Sequence, residues 1–219
     1  MPDEIIIVDL SKIPVDVLKK AKLVFKQTKW LSALKVENDN GKIAYELDGT
    51  INGSKDEITV TITDVGKMVE YDVYLSDPSK TPPNVLEAVK KKFPNFELAE
   101  SHRHCLGEDI KTQENGEYLY ELLGKRGKFN VQARVSIDGE ILEFVNEWDL
   151  TKNKVPQKVT AKLNEAKGDV FEADTVYAIN VDNKIIGFKF AGKNPKAPKG
   201  LRKCFFVTID GTRVERVEG

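Results

Sequence analysis

The sequence predicts an α+β protein built of three tandem modules, each one helix packed on a four-stranded antiparallel sheet. Three observations predict it. Pro14, Pro82 and Pro156 each open a helical pattern, and each is followed three residues later by valine, at Val17, Val85 and Val159. Each helical pattern leads into short runs of β-forming residues bounded by turn residues. Asp64, Asp138 and Asp210 recur near the end of each segment, beside a tight turn into a last strand. The expected modules are residues 1–78, 79–152 and 153–219, the second carrying an inserted loop.

The openings "KIPVDVLKKAKLVF", "TPPNVLEAVKKKFP" and "KVPQKVTAKLNEA" read as helices. Proline suits a first helical turn, where its missing N–H would have no partner. Val17, Leu18, Ala21 and Phe25 fall on one face, as do Val85, Leu86, Val89 and Phe93, and then Val159, Leu163 and Ala166. Lysines gather toward the helix ends, where the helix dipole is negative. "GKIAYELDG", "GEYLYELLG" and "NKIIGFKFAG" read as strands entered from the turns "NDNGK", "QENGE" and "VDNK". "EITVTIT", "FNVQARVSI" and "CFFVTI" follow as alternating strands, and "DVGK", "IDGE" and "IDGT" turn into the last ones. A helix covers one face of such a sheet, so the other should lie open to water.

Composition narrows the function classes. Hydrophobic residues make up 40% of the 219-residue chain and charged residues 32%, enough for a core. The formal net charge is −1, with acids and bases mixed throughout. A nucleic-acid binder needs a basic face to displace phosphate counterions, and none is apparent. No apolar run approaches the ~20 residues that span a bilayer. The N-terminal "MPDEIIIVDLSK" lacks a signal peptide's basic start and cleavage site, so the expectation is a cytosolic chain or an exported one whose leader precedes this sequence. Cys105 and Cys204 are too few for a disulfide framework, and the sequence leaves open whether they pair.

The proline–valine–leucine openings, the "KKFPNF" stretch, the strand after "NG" and the final V-x-I-D-G hairpin together resemble the PepSY-like repeat. That family includes tandem modules whose fold is similar to β-lactamase-inhibitor protein. The resemblance runs from about Ile13 to Val217, and the third copy departs most, reading "NEAKGDVFEAD" where an "FP" would stand. It implies a non-enzymatic protein, exported to the periplasm or secreted, that binds or inhibits another protein. It supplies no catalytic positions and no cofactor.

The chemistry-bearing residues are few. Both histidines, His102 and His104, sit in "ESHRHCLGED", which still alternates like a strand. They should share one face, with Arg103 and Cys105 on the other. The metal reading pairs the histidines with Glu108 or Asp109, although zinc takes three or four protein ligands and the chain has no other histidine. "LGEDIKTQ" then reads as a loop projecting from the sheet edge. A Cys–His nucleophile fails on the same alternation, no G-x-S-x-G turn is present, and an enzyme of unknown type is the lowest-ranked reading. Trp30, Tyr71, Tyr118, Tyr120 and Trp148 lie on expected strands and are the candidate binding surface for a protein or peptide partner. Oligomeric state is not set by any of these features. "AGKNPKAPKGLRK", residues 191–203, reads as a basic loop.

Overall fold

The structure is a computed structural model that describes residues 4–37, 41–106, 119–167, 171–193 and 202–217. Three short α-helices occur among these residues: α1 (Val15–Val24), α2 (Pro83–Lys92) and α3 (Gln157–Lys167). The three prolines do what their position predicts. The carbonyl of Pro14 accepts from the Leu18 amide at 3.2 Å, that of Pro82 from Leu86 at 3.1 Å, and that of Pro156 from Thr160 at 3.2 Å. Each proline thus begins its helix without giving up a bond, because an N–H at that position would have no intrahelical partner, and its ring presets φ.

The strands of the first half are β1 (Glu4–Val8), β2 (Thr28–Glu37), β3 (Ile43–Ile51), β4 (Glu57–Thr63), β5 (Met68–Tyr74) and β6 (Phe96–Leu106). Those of the second half are β7 (Leu119–Arg126), β8 (Phe129–Ser136), β9 (Ile141–Glu147), β10 (Glu172–Val181), β11 (Lys184–Lys193), β12 (Arg202–Thr208) and β13 (Val214–Val217).

This architecture corrects the expected fold class. The protein is mostly antiparallel sheet: among the described residues 13 strands form one sheet in sequence order, rather than three separate modules of one helix on a four-stranded sheet. The last strand of one segment pairs with the first strand of the next. Tyr71, Asp72, Val73 and Tyr74 on β5 face Cys105, His104, Arg103 and His102 on β6, and Glu143 to Glu147 on β9 pair with Val181 to Tyr177 on β10. A separate sheet would end there in unpaired N–H and C=O groups, and pairing removes that edge. The short apolar N-terminal patch, given no role by the sequence pattern, is β1, paired with β2 from Val8↔Ala33 to Glu4↔Glu37.

The chain divides into two compact units. The first comprises residues 1–86, 99–122 and 136–139. In it α1 packs on β4, burying Val17 and Ala21 fully. Alternate residues of the strands are buried with them: Leu47, Ile58, Val60, Ile62, Tyr71 and Val73. Each such apolar side chain contributes ~1.5–3 kcal/mol relative to exposure. The second unit comprises residues 87–98, 123–135 and 140–219. There α3 packs on β12 and β13 and sets Val159 and Leu163 against Phe188, Phe190, Phe205 and Val207. Phe93 meets Phe144 edge-on at 5.2 Å between ring centres, and Phe171 meets Phe205 at 5.0 Å.

Candidate functional site

The candidate site lies in the first unit, on the sheet face opposite α1. Alternation decides which side chains reach it. On β4, Ile58, Val60 and Ile62 are buried, so Thr59 and Thr61 face the other way. On β5, Tyr71 and Val73 are buried, so Asp72 and Tyr74 face outward. The register then sets Asp48 on β3, Thr59, Asp72 and His104 side by side in one row across four strands. The neighbouring row holds Thr50, Glu57, Tyr74 and His102.

Asp72 lies between the two histidines. Its Oδ2 is 2.8 Å from His102 Nδ1, and its Oδ1 is 3.6 Å from His104 Nδ1. His102 Nε2 is 3.8 Å from Glu100 Oε2, and His104 Nε2 is 4.0 Å from Glu70 Oε2. The hydrogen bond to Asp72 raises the His102 pKa above 6.5; burial opposes it, and the charges of Asp72, Glu121 and Glu100 add to it. The Tyr74 ring packs against the His102 imidazole with centres 5.2 Å apart. Asp48 is held from both sides, accepting from Ser32 Oγ and from Thr59 Oγ1 at 2.9 Å each. Burial raises the Glu46 pKa, and the like charges of Asp48 and Glu70 raise it further. A depression of about 360 Å³ opens on this face, lined by Glu57, Thr59, Asp72, Tyr74, Glu100 and His102.

The two histidines share a face as the strand pattern requires, and β6 runs on through Leu106. Arg103 and Cys105 take the other face, where Cys105 sits opposite buried Tyr71. Burial pushes the Cys105 thiol up, and a hydrogen bond with Tyr71 and the charge of Arg103 pull it down. Cys105 and Cys204 are both free thiols. Among the described residues no group of three or more His, Cys, Asp and Glu side chains is arranged to hold a metal ion. The suggested extra ligands Glu108 and Asp109, the rest of "LGEDIKTQ" after Leu106 and residues 194–201 lie outside the described residues, while the two ends of the expected basic loop at 191–203 are strand, in β11 and β12.

The candidate binding aromatics distribute differently. Tyr71 and Tyr120 are buried. Tyr71 meets Phe25 edge-on at 5.1 Å, on the helix-covered side. Trp30 is half-buried, edge-on to Phe25 at 6.4 Å, and Trp148 packs edge-on to Phe188 at 5.3 Å in the core of the second unit. The Nε1 atoms of both tryptophans are buried without a hydrogen-bond partner. Tyr118 lies outside the described residues. Aromatic character alone did not find the surface residue. Tyr74 lies on an expected strand like the other aromatics, and the alternation on β5 is what separates it from them: once Tyr71 and Val73 face the core, Asp72 and Tyr74 must face away.

No protein-family model matches the chain, so the PepSY resemblance is not shown, and no curated protein matches it. Solved structures give a distant likeness. A DUF2874 family protein from Bacteroides ovatus is 14% identical with a TM-score of 0.45, over 61% of this chain and 86% of that one. A DUF2874 family protein from Bacteroides uniformis is 15% identical with a TM-score of 0.45, over 66% of this chain and 94% of that one. A BLIP-like protein from Bacteroides fragilis is 15% identical with a TM-score of 0.43, over 58% of this chain and 81% of that one. At such scores and identities no activity or partner passes from them to this chain. No helix among the described residues is long and apolar enough to cross a membrane.

Proposed function

We propose that this chain is a non-catalytic protein that works outside the cytoplasm and binds another protein through the open face of β3–β6. The observation that carries the reading is the face itself: side chains held by one another around the depression at Asp72 and Tyr74. Asp48 and Asp72 are already fixed by Ser32, Thr59 and His102. A partner meeting them has less side-chain freedom to freeze out, which lowers the cost of association. The exported location is what the sequence resemblance implies.

The test compares immobilised wild type with a Thr59→Trp/Thr61→Trp variant, which fills the face by bulk without changing its charge. A periplasmic extract should contain a protein retained saturably by the wild type and at least about tenfold less by the variant, a change of ~1.4 kcal/mol. Equal retention on both columns, or none on either, would overturn the reading.

A further inference from the structure

We infer that the partner seats a cationic segment, rich in lysine or arginine, across the open face of β3–β6. This rests on the protein-binding reading above and names the chemistry of what binds there. The chain as a whole is nearly balanced, with 34 basic and 35 acidic residues. The open face is not. The strand register and the contacts at His102 place Glu46, Asp48, Glu57, Glu70, Asp72 and Glu100 on it. On described strands β2–β6, Lys29 alone among lysines and arginines falls on the same face, opposite Thr50 at one end of β2. On this face six acids meet one lysine and two histidines, in a chain whose formal net charge is only −1.

The acids are crowded rather than dispersed. Burial and the neighbouring Asp48 and Glu70 charges make ionised Glu46 costly, so a cation brought onto the face relieves a repulsion already present. Asp48 and Asp72 share a row two strands apart, as do Glu46 and Glu70. Two strand spacings are about 10 Å, so basic groups at that interval meet both members of a row. The depression completes the fit. Glu57, Asp72 and Glu100 supply charge to a long basic side chain, and Tyr74 supplies a ring face for cation–π contact.

The experiment is a selection of random 12-residue displayed peptides on the wild type and on the Thr59→Trp/Thr61→Trp variant. Peptides that need the open face should be enriched in lysine and arginine. Their affinity should fall at least about tenfold on Glu57→Gln/Asp72→Asn/Glu100→Gln protein, and should fall as salt is raised. Octalysine should bind wild type saturably while octaglutamate does not, a comparison that needs no variant to fold. Face-dependent peptides without basic enrichment, or octalysine binding no tighter than octaglutamate, overturn the cationic partner and leave the protein-binding face standing. No face-dependent peptide at all overturns both.

Discussion

A β-carbon placed on Gly211 would lie 2.7 Å from the carbonyl oxygen of Lys158, two residues past the proline that opens α3. The same relationship recurs at the other two helices. A β-carbon on Gly66 would lie 3.4 Å from the Asp16 carbonyl oxygen, and one on Gly139 would lie 3.1 Å from that of Asn84. Each hairpin turn thus rests on the first turn of a helix. At Gly211 the backbone is also left-handed, with φ at 71°. Gly211→Ala is therefore expected to destabilise the protein by about 1–3 kcal/mol. Gly53→Ala is the control, because φ there is 83° but nothing lies within 4 Å. It should cost less, as measured by urea unfolding of both variants.

Leu47 is fully buried on β3, whereas Ile7 on β1 is 84% exposed. Leu47→Ala removes buried methyl groups and leaves a cavity, and should cost about 2–5 kcal/mol. Ile7→Ala should change stability by less than about 0.5 kcal/mol. Chemical denaturation of the pair tests whether the helix-facing side of the sheet is the core.

His102 is faced by Asp72 from β5, Glu121 from β7, and Glu100 and His104 on its own strand, with Tyr74 packed against the ring. Its pKa is raised above 6.5. The protonated form is therefore favoured by folding. The stabilisation is fully present below the unfolded value and is lost as pH rises through the folded value. His102→Gln should lose more stability against wild type near about pH 5 than near about pH 9, read from urea midpoints. An equal loss at both ends would disprove the charged pair.

Asp56 is buried at the start of β4 and ties that strand to the segment after β5. It accepts from the Ser76 amide at 3.0 Å and the Ser76 hydroxyl at 2.7 Å, with Lys80 Nζ at 3.2 Å. Burial by itself would raise its pKa, but the Ser76 and Lys80 hydrogen bonds outweigh it, and the pKa is lowered from 3.8. Its stabilisation is thus present above the unfolded value and lost as pH falls through the folded one. Asp56→Ala should cost about 1–3 kcal/mol near neutral pH, because the Ser76 donors lose their partner. Thermal unfolding should show the gap to wild type narrowing in acid.

The legible part of this protein is what nearest neighbours in the chain decide. Proline at 14, 82 and 156 sets φ and frees no donor, so three helix starts were readable residue by residue. Strand alternation put His102 and His104 on one face and Cys105 on the other, which needs only the period of two. For the aromatics the same period separates Tyr71 from Tyr74, but residue type does not say which of the two faces is the core. Tyr71 and Tyr74 are equally aromatic and three residues apart, yet one is core and the other surface.

Tertiary structure decided the rest. Pairing of β5 with β6 and of β9 with β10 runs the segments into one sheet, because strand edges bond whatever lies beside them. That pairing brings Asp72 beside His102 and His104, 30 and 32 positions along the chain, and no spacing in the sequence encodes it. The acidic face is likewise a product of register. Glu46, Asp48, Glu57, Glu70, Asp72 and Glu100 are scattered through a balanced sequence, and become one charged surface only when the strands carrying them align.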